Sequence, residues 1–351
     1  MHLPNDSSLP IHHLAACFND TSSTYKFYWF LSILQAVEAG NTTTIAKHDI
    51  FARMIANAWY TVNYYHVSFG KQDQFQLAIQ AIREREQITI DAKYETIHHK
   101  LRTTSNIQTI RQLRHFDVNV PHWFLSPWFP KKEKSVIYQA SQNSDSHALY
   151  ALSKDSITIN PQWVEYLQAN AGILKDFCYW NLALFLQARN PNVPDIPNKL
   201  IKPAQRGKLN NQRKKFWDIV FQELGSIDCI YTGKKLVVDK YAVEHFIPHS
   251  FVSHDLIWNL IPADASFNST KSDKLPRVEK YFDGFFYLQH TAIEIILRKD
   301  AKNKYLEDYL TIFPDLQEIT NSSTSELKHK FKERIQPLIT IASNNGFEYL
   351  P

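Results

Sequence analysis

Apolar positions recur along most of this chain with a helical period. TYKFYWFLSILQAVEAG, starting at Thr24, carries a broad apolar face at helical spacing, which predicts a largely buried helix closed by Gly40. IAKHDIFARMIANAWYTV predicts a second helix, and QDQFQLAIQAIREREQITIDAKYETIHHKLR continues the pattern. SNIQTIRQLRH carries a start signal at Ser105 ahead of Ile107, Ile110 and Leu113. The period breaks at VNVPHWFLSPWFPKK. There Pro121, Pro127 and Pro130 interrupt regular structure, while Trp123, Phe124, Trp128 and Phe129 supply large apolar surfaces. This stretch is read as a domain border, with the aromatics plugging the joint between two units.

SVIYQASQ, HALYALS and SITIN are short runs between polar turns, and they predict a small sheet near residues 135–159. PQWVEYLQANAGILKDFCYWNLALFLQARN returns to helix, with Pro161 suited to its first turn, and NPNVPDIPNKLIKPAQRGKL is extended. After the helical QRKKFWDIVFQEL the period changes again. KYAVEHFI predicts a strand, Pro248 and Ser250 open a loop, WNLI predicts a second strand, and DASFNSTKSDK a short helix capped by Asp264 or Ser266. KYFDGFFYLQHTAIEIILRK and NSSTSELKHKFKERIQPLITIASNN are two further helices, the second starting among residues 322–325. The expected fold is mainly α with a small β component. Residues 1–130 form a helical N-terminal domain, 131–225 a small β segment with helices and a basic connector, and 226–351 a hairpin-and-helix core wrapped by C-terminal helices.

Composition sharpens this picture at few points. A chain of 351 residues exceeds the size at which one core usually stops growing, so two or three packed units are expected. Lys+Arg 39 against Asp+Glu 35 leaves +4, too little to imply a polyanionic partner from the total. Locally the balance differs: residues 199–215 hold Lys199, Lys202, Arg206, Lys208, Arg213, Lys214 and Lys215 without one acidic residue, a basic patch suited to phosphates. Cys17, Cys178 and Cys229 form no C-x-x-C pair, which argues against a disulfide framework or a cysteine-based zinc knuckle. The N-terminal sequence lacks a signal-peptide layout and no apolar run reaches the roughly 18 residues of a membrane span, so a cytoplasmic chain without membrane association is expected.

Residues 229–276, CIYTGKKLVVDKYAVEHFIPHSFVSHDLIWNLIPADASFNSTKSDKLP, carry the candidate chemistry. Phosphodiester cleavage needs an activated water, a divalent cation to balance charge on phosphate, and fixed geometry between them. His245 can accept a water proton near neutrality, provided a carbonyl or carboxylate holds its other ring nitrogen. Glu244 and the Asn268 side-chain carbonyl supply oxygen ligands of the kind Mg²⁺ takes alongside several waters. His249 and His254 read as solvated loop residues, Trp258 as core packing and Cys229 as a small apolar group.

With Glu244-His245, Asn259 and Asn268 in order, this region resembles the HNH, or ββα-metal, endonuclease superfamily. It is most similar to the HNH domain of RNA-guided type II CRISPR effectors and to HNH restriction and defence nucleases. The likeness to the former lies in Tyr231-Thr232-Gly233-Lys234, in His245-x-x-Pro248-x-Ser250-Phe251, and in Asn268-x-x-Lys271-Ser272-Asp273 ending at Leu275-Pro276. The resemblance implies His245 as general base, Asn259 bracing its loop, Glu244 and Asn268 on one Mg²⁺, for which Mn²⁺ substitutes, and Lys271 facing the phosphate. Two departures stand out: Glu244 is one methylene longer than the usual Asp, and of four zinc-binding cysteines only Cys229 remains, so no structural zinc is expected.

The expected function is therefore a metal-dependent endonuclease that nicks DNA, or cuts both strands as an oligomer, in restriction or antiphage defence. The helical N-terminal domain is expected to serve as a sensor, as a DNA-binding unit, or as a docking surface for a protein partner or a second copy. Three alternatives stay open: a partner-activated nuclease subunit of a complex, a ribonuclease, and a DNA-binding scaffold whose centre has decayed.

Overall fold

The computed structural model describes residues 3–40, 43–201 and 208–351. They are mainly helical with three small sheets, as the apolar period requires. The chain divides into two compact units, residues 1–191 with 196–202 and residues 192–195 with 203–351.

In the first unit the helix Tyr25–Glu38 is buried on almost every side, with Phe27, Trp29, Phe30, Ile33 and Leu34 inside, and the helix Lys47–Asn63 packs along it. Asp73 fixes two helix starts together: one carboxylate oxygen accepts from the Phe75 amide at 2.9 Å and the other from the Thr24 amide and hydroxyl at 2.7 Å. The helix at Ile107–His115 is capped by Asn106, which accepts from the Gln108 and Thr109 amides, one residue beyond the expected Ser105.

The expected border at residues 118–132 lies inside this unit. Phe124 and Leu125 are fully buried, and the Trp29 indole donates to the Tyr150 hydroxyl at 2.9 Å, which donates to the Pro121 carbonyl at 2.7 Å. The Pro-rich stretch thus seals a core that the helices on both sides share. SVIYQASQ is a helix, Lys134–Ala140, and not a strand. The sheet that does form joins Tyr150–Leu152 and Ser156–Ile159 to Thr44–Ala46, with Ile45 opposite Ile157. Pairing of residues 44–46 with 156–158 makes the β segment part of the first unit, so the boundaries at 130 and 225 are replaced by one near 191–203.

In the second unit, residues 210–224 form a helix interrupted by a π segment, Arg213–Trp217. Strands Ile227–Asp228 and Lys235–Leu236 flank a tight turn, where Gly233 has φ +70° and its amide donates to the Cys229 carbonyl at 2.8 Å. The main hairpin pairs Ala242–His245 with Leu260–Ala263, and Glu244 lies opposite Ile261 and His245 opposite Leu260. The helix Ala265–Lys271 follows at once, capped by Asp264, whose carboxylate accepts from the Ser266 amide at 3.0 Å. Behind the hairpin run the long helix Val278–Lys299, the 3-10 helix Lys304–Thr311 and the helix Thr324–Asn344, which starts in a Ser323–Glu326 capping box. Backbone bonds Leu275 N–H to Glu348 O at 2.7 Å and Leu350 N–H to Leu275 O at 2.8 Å fix the chain end beside the exit of the short helix. Among the described residues no helix is long and apolar enough to cross a membrane.

Candidate active site

Successive residues of a strand face opposite sides, so Glu244 and His245 meet different partners. The His245 ring, 4 % exposed, places Nε2 2.8 Å from Asp255 Oδ1. A carboxylate in that position fixes the ring orientation and stabilises the imidazolium formed when the ring takes a proton. His249 packs edge-on to the His245 ring at 5.2 Å, its Nε2 3.9 Å from the same Asp255 oxygen. The loop between the strands is braced by Asn259, fully buried. Its amide donates to the Ile247 carbonyl and its side-chain oxygen accepts from the Ile247 amide, both at 2.8 Å.

On the other side, Glu244 is 3 % exposed and both its oxygens are engaged. Lys271 Nζ donates to Oε1 at 2.6 Å and to the His245 carbonyl at 2.9 Å, and the Tyr231 hydroxyl donates to Oε2 at 3.2 Å. Burial and the adjacent carboxylate push the Tyr231 phenol well above its usual value, so it stays a donor. Tyr231 stacks on Phe267 at 4.7 Å, and Lys234 pairs with the helix-capping Asp264 at 2.5 Å. Hydrogen bonds from Lys234 and Ser266 hold the Asp264 carboxyl down at about 2. The Tyr231-Thr232-Gly233-Lys234 turn therefore braces Glu244 and the helix cap at the same time.

Lys271 is corrected by these contacts: it is fully buried as the counter-ion of Glu244 and does not extend toward a phosphate. A carboxylate buried under a hairpin needs a charge partner, and the helix turn beyond Asn268 supplies one. His249 and His254 are corrected as well. His249 sits beside Asp255, and the His254 ring lies 5.4 Å from Trp258, with burial first and then the charges of His245 and Arg334 holding its pKa down to about 4. Trp258 and Cys229 are buried as expected.

Of the basic residues, Lys199 is corrected: it is fully buried in the first unit, its ammonium 5.9 Å from the Tyr65 ring centre. Lys202 and Arg206 lie outside the described residues. Arg213 stacks over Tyr241 at 4.6 Å and reaches Asp239 at 3.6 Å, while Lys208, Lys214 and Lys215 are exposed.

The sequence reading missed Asp255 and Gln289. Asp255 is within reach of it as the one acidic residue between His245 and Asn259, where a general base needs a carbonyl or carboxylate on its second ring nitrogen. Gln289, fully buried on the long helix, donates to the Ile257 and Leu260 carbonyls at 3.2 and 2.8 Å and accepts from the Tyr309 hydroxyl at 2.5 Å. Nothing in the local pattern separates it from a solvated helix residue.

The donor chemistry suits a hard, mostly hydrated cation: one amide oxygen, Asn268, on the helix face one turn before Lys271, and one carboxylate, Glu244. Asn268 is partly exposed and its side chain makes no hydrogen bond among the described residues, whereas Glu244 is held by Lys271. No group of three or more His, Cys, Asp or Glu suited to a metal occurs among the described residues. A divalent cation here would thus rest on Asn268, water and phosphate oxygens, and would compete with an ammonium for Glu244.

Neither the curated proteins nor the solved structures contain a match to the chain. The family model described as HNH endonuclease matches residues 229–277, the span that holds the Tyr231 turn, the hairpin and the capped helix, and this segment is accordingly a nuclease domain of the HNH superfamily.

Proposed function

We propose that the chain is a metal-dependent endonuclease that hydrolyses DNA, with His245 as general base. The observation that carries the reading is the His245 Nε2 to Asp255 bond of 2.8 Å within the HNH segment. Asp255 orients the imidazole, Asn259 holds the loop between them, and the ring takes the proton of a water whose oxygen attacks phosphorus. The P–O3′ bond breaks, giving a 5′-phosphate and a 3′-hydroxyl once the departing oxygen is protonated. Mg²⁺, or Mn²⁺ in its place, supplies charge neutralisation on the phosphate, with Asn268 and Glu244 as the protein oxygens offered to it. A single such centre cuts one strand, so double-strand cleavage requires two copies or two nicks. A role in restriction or antiphage defence is proposed on analogy with other HNH chains that carry a helical partner unit.

The test is cleavage of supercoiled plasmid by wild-type and His245→Ala protein, each with Mg²⁺ and with EDTA. The reading expects nicking or linearisation by wild type with metal alone, and a loss of at least about 10²-fold in the variant. Cleavage of RNA but not plasmid would overturn the DNA assignment, and equal cleavage by the variant would overturn the base.

A further inference from the structure

The second unit carries an open depression of about 470 Å³ walled by two segments that meet only in space. One wall is the π segment with Lys214 and Lys215, and the other is the run Asp300, Lys302, Asn303, Lys304 and Tyr305. All four lysines are exposed, and none forms an ion pair with a carboxylate among the described residues. The one carboxylate of the lining, Asp300, accepts from the Asn303 amide at 3.0 Å. Four cations gathered around one carboxylate repel one another, an arrangement that favours a polyanionic occupant.

The backbone is built around the same place. A π turn spoils the regular carbonyl ladder of a helix and recurs at functional sites. Here the Asn303 side chain, fixed by its cap of the Lys304–Thr311 helix, donates to the Lys215 carbonyl at 2.8 Å and ties the two walls together. The helices that carry both walls also contact the loop that holds the candidate base, through residues just beyond the lining. The Gln212 amide, three residues before Lys215, donates to the Asp255 carbonyl at 3.5 Å, and Asp308, four residues beyond Lys304, accepts from the Ile257 amide at 2.7 Å. Three residues of α-helix rise about 4.5 Å and four of 3-10 helix about 8 Å, so Lys215 and Lys304 start within one or two turns of residues that contact the catalytic loop.

We infer that this depression seats the phosphodiester backbone of the DNA substrate beside the cut site, with Lys214, Lys215, Lys302 and Lys304 contacting phosphates. The inference rests on the nuclease reading of the hairpin. Lysine ammonium groups act as point charges on phosphate and read no base, so the seat contributes register and affinity without sequence choice. It joins the basic run at residues 199–215 to two lysines almost ninety positions later, a pairing that only the fold brings about.

The experiment measures binding of a labelled DNA duplex by fluorescence anisotropy in full-length His245→Ala protein, with and without Lys214→Gln, Lys215→Gln, Lys302→Gln and Lys304→Gln, over a salt series. The four substitutions should weaken binding tenfold or more at 0.1 M salt and make the log–log salt slope shallower by about 3.6, at about 0.9 for each phosphate contact. The pairs 214/215 and 302/304 should each give about half of that change. A control carrying Lys71→Gln, Lys93→Gln, Lys131→Gln and Lys132→Gln on the first unit makes the same change in net charge. An equal loss in the control, or an unchanged slope in the groove variant, overturns the seat. Cleavage with His245 intact is read in parallel: cutting by the wild type with an unchanged slope in the groove variant overturns the seat alone. Absence of cutting on any substrate overturns the nuclease reading, while the anisotropy still decides the seat.

Discussion

Asp255 and His245 stand ten residues apart in sequence and 2.8 Å apart in space, because the hairpin loop folds back on the end of its own first strand. The oxygen of Asp255 that meets Nε2 sets which ring nitrogen carries the proton and balances the imidazolium. Replacing it by an amide keeps the shape and removes the charge. Asp255→Asn should lower kcat about 10- to 100-fold with little change in KM, and Asp255→Glu should recover part of the loss. Steady-state nicking rates beside thermal melts check this: a fall that tracks a lost melting temperature, or equal loss in both variants, would make Asp255 a structural residue only. The contrast with Asn259 is instructive at this scale. Both residues lie in one loop, yet the buried amide of Asn259 closes two backbone bonds of Ile247, while the half-exposed carboxylate of Asp255 closes on a ring that must change charge.

At the scale of elements, the strand Ala242–His245 and the helix Ala265–Lys271 are joined by the Glu244–Lys271 pair, where a full charge is buried on each side. Breaking such a pair from one side leaves an uncompensated charge, which costs about 3–5 kcal/mol, whereas removing both charges is nearly neutral. Lys271→Met should therefore destabilise the second unit by about 3–5 kcal/mol, and Glu244→Gln with Lys271→Met should restore most of it. Urea unfolding of the two single variants and the double variant measures the coupling; additive losses would show that the pair does not clamp the helix to the hairpin. The same pair marks how far this site was legible in the sequence. Period and caps place the strands, the short helix and its Asp264 cap, because these depend on neighbours within a few residues. The order Glu244-His245, Asn259, Asn268 was legible for the same reason. The partners of Glu244 were not, since Lys271 and Tyr231 are chosen by which face the strand residue takes, whereas Asp255 is readable as the one acidic residue of the loop although its contact depends on how that loop closes. Lys199 was misread on the same ground: a lysine in a basic run looks solvated until tertiary packing buries it.

Across the whole molecule, each unit holds a histidine whose surroundings favour the neutral ring, His122 buried and His254 partly buried. In the first unit His122 is 4 % exposed, and burial together with the Lys134 and Lys47 charges outweighs Asp117 and lowers its pKa to about 4. In the second, burial and the charges of His245 and Arg334 hold His254 at about 4. Unfolding returns each ring to about 6.5, so the unfolded chain takes up the proton first. The stability contributed by the neutral rings is complete above pH 6.5 and is lost as pH falls toward 4, about 2–3 kcal/mol for each unit. In the first unit Asp49 adds a later loss. Although burial opposes it, bonds from His98 and Arg53 keep its carboxyl at about 2, so its contribution fades between pH 4 and 2. Asp73 and Asp308 act in the opposite sense, because burial pushes their carboxyls upward and protonating them favours the folded units at low pH. From pH 6.5 to about 5 the histidines lower stability as pH falls, with Asp73 and Asp308 pulling the other way. Urea midpoints should fall steadily over that interval, His122→Leu should flatten the slope of the first unit and His254→Gln that of the second, each leaving the other unchanged. A wild-type midpoint equal at pH 7 and pH 5, or a variant with the wild-type slope, would mean that these rings are solvated in solution and that neither core excludes water as its packing requires.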